Sequence, residues 1–212
     1  MSVPELASWE GPIAARGALA LRGWQLPEEI PTPDPKLPIS VDTWGLCGGH
    51  ALKVLWTSCP DRLRATISAC HAERALVHWR NLSDTRPRDA LTTFREWLNG
   101  FATRRVLARH CRAADAAAHN AWDEAGAAAA LACSRLYRAS QSCDVMGVVS
   151  EHAATAFAYE HAKRTSPYWR RMAYRLGVTW LDESAYLTGL YNEVSAQLSI
   201  TVHAMVAFGR CQ

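Results

Sequence analysis

The feature that most constrains this chain is a helical hydrophobic period, which governs the sequence from residue 41 onward. It is clearest in residues 103–125, where apolar residues recur every three or four positions opposite a charged side. The apolar stripe consists of Leu107, Cys111, Ala114, Ala118, Ala121 or Trp122, and Ala125. The polar side of the same helix consists of Arg105, Arg109, Arg112, Asp115 and Asp123. No segment alternates strictly enough between apolar and polar residues to predict a strand. The chain is therefore predicted to be all-α.

Start and stop signals divide the period into about six to seven helices. Asp84 precedes a helix start with Pro87 in its first turn, Asn99-Gly100 ends that helix, and Ser166-Pro167 starts another. We expect helices over about residues 42–57, 61–80, 86–99, 103–138, 144–163, 167–176 and 183–207, with Gly126 bending or ending the longest. Because the connections are short, the helices are predicted to form an antiparallel bundle.

Residues 1–40 differ in composition from the bundle domain, which we assign to residues 41–212. Five prolines stand in the stretch LPEEIPTPDPKLP, namely Pro27, Pro31, Pro33, Pro35 and Pro38. Proline at this density removes backbone donors and prevents helix formation. The sequence therefore predicts an extended, Pro-rich N-terminal arm.

Charge and hydropathy restrict the setting in which the chain works. The net charge is only +3, so nucleic-acid binding is not expected. Residues 61–112 hold eleven arginines against five acids; this excess suits an acidic partner, although a solvated Arg-rich face explains it equally well. No apolar run approaches the length of a membrane span, and the first residues lack the basic and apolar regions of a signal peptide. We expect a cytoplasmic protein without membrane contact.

The cysteines predict reduced thiols and no metal site. There are seven, at irregular spacing, which is not typical of a disulfide framework. Cys47-Gly-Gly-His50 has the spacing of half a zinc site. The second pair, however, would be the adjacent Cys70 and His71, whose side chains diverge by about 100° on a helix.

A catalytic interpretation depends on Cys47. As a nucleophile, Cys47 would need a histidine base, and the spacing in the sequence favours neither His71 nor His203 for that role. Alternatively, the two glycines before His50 serve only to let this segment pack closely against its neighbours. Nucleotide-binding, serine-hydrolase and metalloprotease motifs are absent, and no Glu-x-x-His pair suits a di-iron bundle. No catalytic residue or cofactor is therefore predicted, with Cys47, His50 and His71 as the weak alternative.

Four segments in the middle of the chain resemble a known family. They are CHAERALVHW (70–79), TRPRDALTTFREWLNG (85–100), the alanine-rich helix from Arg104, and SEHAATAFAYEHA (150–162). Over about residues 68–162 the chain resembles the small all-helical immunity proteins of bacterial polymorphic-toxin systems.

The resemblance implies a helical bundle that binds a cognate protein toxin in the producing cell and neutralises it by steric occlusion. No turnover and no cofactor would be involved. Such a protein needs a preorganised patch with a few aromatic and arginine anchors. The candidate partner-binding residues are Trp79, Arg86, Arg88, Arg95 and Trp97, although a tryptophan such as Trp97 at a helix end also suits its own core.

Two other classes of function remain open on the sequence. One is a helical enzyme of bacterial secondary metabolism that uses a thiol or a cavity in the bundle. The other is a small ligand-binding or scaffold protein with a Trp-rich surface. The C-terminal helix, with its stripe of Leu187, Leu190, Val194 and Leu198, is predicted either to complete the core or to form a homodimer seam.

Overall fold

The structure, a computed structural model, describes residues 45–57, 59–139, 143–176 and 182–210. Within these ranges every regular element is helical and no strand occurs, so the predicted all-α fold is confirmed. The described helices are α1 (His50–Trp56), α2 (Asp61–Ala75), α3 (Arg86–Leu98), α4 (Arg104–His119), α5 (Glu124–Ser134), α6 (Leu136–Ala139), α7 (Cys143–Thr165), α8 (Tyr168–Arg175) and α9 (Glu183–Arg210). A π-helical turn, Gly45–Gly49, precedes α1, and a 3₁₀ turn, Leu76–His78, follows α2. The predicted N-terminal arm lies outside the described residues.

The bounds of α3 follow from its sequence signals. Pro87 occupies the first turn, where a missing N–H costs no hydrogen bond. At the other end Gly100 takes the left-handed conformation, with φ of 82°, and the Phe101 amide donates to the Glu96 carbonyl at 2.8 Å. This hydrogen bond satisfies the Glu96 carbonyl, which lies in the last turn of α3 and has no partner within the helix. The predicted end at Asn99-Gly100 is therefore correct to within one residue.

The predicted helix over residues 103–138 is broken into α4, α5 and α6. The α4 helix ends at His119, and Asp123 then starts α5 by accepting a hydrogen bond from the Gly126 amide at 2.7 Å. Gly126 thus lies in the first turn of a new helix and does not end the old one. The physical reason is the strong capping carboxylate of Asp123, which the helical period alone does not reveal.

Neighbouring helices pack mostly antiparallel. The Cys111 thiol in α4 faces the Cys133 carbonyl in α5 at 3.7 Å, as expected of consecutive helices joined by a short turn. Along α7 and α9 the pairing also runs in opposite directions, from Ser150 with Gln197 to His161 with Gly189. By contrast, α2 and α7 are parallel, because His71 meets Ser150 whereas Arg74, further along, lies over Phe157. The pairs α4–α5 and α7–α9 are therefore antiparallel, whereas the central pair of α2 and α7 is parallel.

The core consists of two apolar clusters that share α2 and α7. The first cluster joins the helices from α2 to α7 and is rich in alanine, with Phe94, Leu107 and Leu136 as its large, fully buried side chains. The second joins α1, α2, α7 and α9 around Trp56 and Leu190. Alanine on facing stripes lets the helix axes approach closely, so the few bulky residues fix how the helices fit together.

The apolar stripe of α9 belongs to this core. Leu187, Leu190, Val194 and Leu198 are each 5% exposed or less and pack within the chain. Of the two predicted roles for this stripe, the structure shows core completion. A homodimer formed through the same four residues would first have to expose them to water, at a cost of about 1.5–3 kcal/mol for each side chain.

A polar seam crosses the interior between α2, α7 and α9. The His71 Nδ1 atom lies 2.7 Å from the Ser150 hydroxyl, and the Gln197 amide donates to the Ser150 carbonyl at 3.0 Å. Nearby, the Arg74 guanidinium donates twice to the buried Glu193 carboxylate, at 3.1 and 2.8 Å. These polar groups require particular partners, so the seam fixes the register of the three helices.

Among the described residues, no helix combines the length and the apolar character of a membrane span.

Candidate functional site

The sequence pointed to Cys47 as the weak catalytic alternative, and the structure buries it. The Cys47 side chain is 1% exposed, and burial raises the pKa of its thiol to about 11. The thiol is therefore protonated at neutral pH, whereas a nucleophilic cysteine must be a thiolate. His50 is exposed at the start of α1. This arrangement does not favour covalent chemistry.

His71, the other member of that alternative, is a core residue. Burial, together with the positive charge of Arg74, lowers the pKa of His71 to about 3. Its Nδ1 atom is engaged with Ser150, and its Nε2 atom has no hydrogen-bond partner. The ring is thus neutral and held in the polar seam. Across the described residues, no group of three or more His, Cys, Asp or Glu side chains is arranged to hold a metal ion.

The predicted partner-binding residues are spread along α3 and the segment before it. Trp79 is only 3% exposed, and its indole N–H donates to the Asp84 carbonyl at 2.8 Å, which fastens the segment of residues 79–85 to the core. Arg86 pairs with Asp84 at 2.6 Å, and this contact lowers the pKa of the Asp84 carboxyl. Arg88 is exposed in the first turn of α3. Trp79 is therefore placed to support a surface from beneath.

Arg95 and Trp97 lie near the other end of α3. Arg95 pairs with Glu73 at 2.6 Å, and the Trp97 ring packs on Phe94 with centroids 5.6 Å apart. With a rise of about 1.5 Å per residue, Arg86 and Trp97 are roughly 16 Å apart along the helix. Trp79 and Arg86 both contact Asp84, but the structure does not bring the five residues into one patch.

A better-formed site lies where the segment after α2 meets the turn between α4 and α5. A pocket of about 200 Å³ opens there. Its walls are Trp79, Arg80, Asn81, Trp122, Asp123 and Gly126. The Trp122 side chain is 79% exposed at the rim, whereas Trp79 forms a buried wall. We call this site the Trp122 pocket.

Three carboxylates, of which Glu160 is buried, hold the cationic groups around this pocket. Glu160 of α7 is 5% exposed and accepts hydrogen bonds from Arg80 at 2.7 and 2.9 Å and from Arg164 at 3.0 Å. Lys163 lies between Asp123 and Glu124, at 3.4 and 3.2 Å. Because Glu160 and Lys163 of α7 bind Arg80 and Asp123 of the two segments, these ion pairs hold the walls of the pocket in position.

Three further contacts stiffen the site. Asp123 caps α5, and a Cβ atom at Gly126 would lie 3.1 Å from the Asp123 carboxylate and 3.7 Å from the Trp79 ring. His78 is buried in an edge-to-face contact with Phe157, with centroids 4.4 Å apart, and burial lowers the pKa of His78. Tyr174 of α8 donates to Glu124, and burial and this hydrogen bond raise the pKa of the Tyr174 hydroxyl. The α8 helix therefore adjoins the pocket.

Sequence reasoning missed Trp122 and Arg80 as site residues. Trp122 was an alternative member of the buried α4 stripe, but the helix ends before it and leaves the indole on a turn. A local pattern in the sequence could have revealed the position of Trp122. Asp123 is a residue type typical of an N-cap, and a residue just before an N-cap lies outside the helix. No signal in the sequence places Arg80 against Glu160, eighty residues away.

The arrangement suits recognition of another molecule by a preformed surface. Comparison of the chain with models of protein families, with curated proteins and with solved structures found no match.

Proposed function

We propose that this chain is a binding protein that neutralises a cognate protein toxin in the cytoplasm of the bacterium that produces it. The observation that carries the proposal is Trp122, a large aromatic side chain 79% exposed at the rim of a pocket with rigid, ion-paired walls. Neutralisation would be steric: the bound chain covers the surface that the toxin needs.

The composition of the site supports a protein partner. Tryptophan and arginine are the residues that most often dominate the energy of protein interfaces, particularly beside a pocket that excludes water. Trp122 and Arg80 supply this pair, and the exposed Leu82 lies two residues after Arg80. Since the walls are already fixed by Glu160 and Lys163, little conformational entropy remains to be lost on binding.

The size of the pocket argues against a small-molecule site. Pockets for metabolites usually enclose about 300–1,000 Å³ and surround most of the ligand. The Trp122 pocket holds about 200 Å³ and lies at the surface, which suits one side chain of a partner. The enzyme alternative that relies on Cys47 is disfavoured by the raised pKa of that thiol.

The choice of a toxin as partner comes from the resemblance of residues 68–162 to immunity proteins. That region includes Trp79, Arg80, Trp122 and Glu160, so the pocket lies within the part of the chain over which the resemblance extends.

The experiment has two steps. The tagged full-length chain is first used to capture its partner from the native cytoplasm, and the captured protein is identified by mass spectrometry. The partner is then expressed in a heterologous host with and without this chain. We expect a stoichiometric partner that arrests growth alone and is harmless when co-expressed. A partner that is harmless alone, or whose toxicity persists on co-expression, would overturn the proposal.

A further inference from the structure

A long basic segment of the chain surrounds α8. Residues 161–181 contain five lysines and arginines and no aspartate or glutamate. The α8 helix lies inside this segment and holds Arg170, Arg171 and Arg175. Beside it, Arg164 is 75% exposed in its side chain, although its Nε atom donates to Glu160.

Glu160 and Asp182 lie just outside this segment: Asp182 pairs with Arg170, and Glu160 is shared by Arg164 and Arg80. A small local excess of positive charge therefore remains beside the Trp122 pocket, on Arg171, Arg175 and the incompletely neutralised Arg164.

The outer side of α8 is apolar. Tyr168, Met172 and Leu176 are spaced four residues apart and therefore lie on one side of the helix. Their side chains are exposed, Tyr168 and Leu176 by more than two thirds. Isolated exposed apolar residues are common on protein surfaces, but three in one row with arginines beside them form a continuous surface.

The inner side of α8 is fastened to the bundle. Arg170 pairs with Asp182 at 2.7 Å, and Arg171 donates to the Lys163 carbonyl at 3.3 Å. Tyr174 donates to Glu124 next to the Trp122 pocket. The exposed row is therefore held in a fixed orientation, and Arg175, immediately before Leu176, projects beside it into solvent.

We propose that α8 is a docking surface for an acidic segment of a protein partner that also carries apolar side chains. The partner's apolar residues would cover Tyr168, Met172 and Leu176, and its carboxylates would face Arg175 and Arg164. Charge complementarity of this kind selects the partner and accelerates its encounter. The inference rests on the proposed function, because it names the chemistry of the partner that binds at this end of the bundle.

An anionic membrane surface fits the same helix less well. The eight residues of α8 extend only about 12 Å, whereas many helices that lie in a membrane interface have 20–30 residues.

The test uses random peptides displayed on phage, selected on the immobilised full-length chain. Peptides that bind are synthesised, and their affinities are measured by fluorescence anisotropy at low and high salt. The α8 variants are Arg175→Glu and Leu176→Ser, both at exposed positions. Their matched controls are Arg109→Glu, on the exposed side of α4, and Phe101→Ser, at the exposed turn between α3 and α4.

We expect the selected peptides to be acidic with apolar residues, and their affinity to fall with salt. Each α8 variant should weaken binding by about tenfold, and the controls by less than about twofold. Neutral or basic peptides, acidic peptides insensitive to the α8 variants, or no selected peptide would each overturn the proposal. So would binding to vesicles of phosphatidylcholine and phosphatidylglycerol that the α8 variants abolish.

This outcome is separate from that of the proposed function. If the chain suppresses a toxin while the selected peptides are neutral, only the assignment of α8 fails. If acidic peptides bind α8 but no toxin is recovered, the docking surface stands and the toxin proposal fails.

Discussion

At the scale of single residues, the interior polar seam is the least expected part of the structure. His71 is fully buried, yet only one of its ring nitrogens has a hydrogen-bond partner. A buried polar group without a partner costs about 1–3 kcal/mol. The bond to Ser150 offsets part of this cost and joins α2 to α7, so the histidine contributes more to specifying the packing than to stabilising it.

The protonation of His71 makes stability depend on pH. In the unfolded chain this ring takes up a proton near its ordinary pKa of 6.5, whereas in the folded chain burial holds the pKa at about 3. Between these values the unfolded state binds more protons, so stability is complete above about pH 6.5 and is lost as the pH falls towards 3. At its steepest, the free energy of unfolding falls by about 1.4 kcal/mol per pH unit for one such histidine. His152, whose pKa burial lowers to about 4, adds to the same loss.

We therefore predict that His71→Gln flattens this dependence. The variant should be destabilised by about 1–3 kcal/mol at neutral pH through imperfect replacement of the ring. Between pH 6.5 and 4 it should lose less stability than the wild type, because the proton that His71 takes up on unfolding no longer contributes. Urea unfolding followed by circular dichroism at several pH values measures both effects. A variant with the wild-type slope would show that His71 is not the titrating group.

At the scale of elements, α7 and α9 approach each other closely at Gly189. A Cβ atom at Gly189 would lie 2.7 Å from the His161 Cβ atom and 2.9 Å from the Ala158 Cα atom. Neither neighbour is the flexible end of a side chain, so the backbones would have to separate. The helical period of the sequence predicted both α7 and α9. It does not predict that these two helices pack against each other, and the requirement for glycine at position 189 depends on that packing.

Gly189→Ala should therefore destabilise the protein although alanine is the better helix former. The propensity gain of about 1 kcal/mol is opposed by overpacking, and we expect a net loss of about 1–3 kcal/mol. Ser195→Ala is the matched control in α9, because the Ser195 hydroxyl bonds only to the Tyr191 carbonyl of its own helix. That variant should stay within about 0.5 kcal/mol of the wild type. Equal or greater stability of Gly189→Ala in thermal unfolding would contradict the described crossing.

Helix ends were predictable where the sequence carries local chemistry. Pro87 and Gly100 mark the bounds of α3 correctly because each acts on the backbone of its own turn. The break between α4 and α5 was predicted at Gly126, a few residues too late, since the alanine-rich period continues through the true break and does not reveal the cap at Asp123. The burial of Trp79 could not be decided from the sequence for another reason: whether a tryptophan is covered depends on distant segments of the chain.

At the scale of the whole molecule, two clusters of apolar residues share α2 and α7, and the ends of these helices position the site. Arg80 follows α2, and Glu160 and Lys163 lie in the last turns of α7, so the parallel packing of the two helices delivers their charges to one end. The Trp122 pocket and α8 adjoin each other there. The fold class could be predicted from the sequence. The position of the pocket next to α8 could not, because it depends on how helices far apart in the chain pack together.

The central claim is that the Trp122 pocket binds the partner, and side-by-side capture tests it most directly. Wild-type chain, Trp122→Ala and Phe101→Ala are used on the same cytoplasmic extract, and the co-eluting partner is quantified by mass spectrometry. Both aromatic side chains are largely exposed, at 79% and 85%, so neither variant should unfold the protein. We predict that Trp122→Ala loses at least about 2 kcal/mol of binding, a reduction of about thirtyfold in affinity, while Phe101→Ala captures as much as the wild type. Equal capture by Trp122→Ala, or a loss confined to Phe101→Ala, would contradict the account.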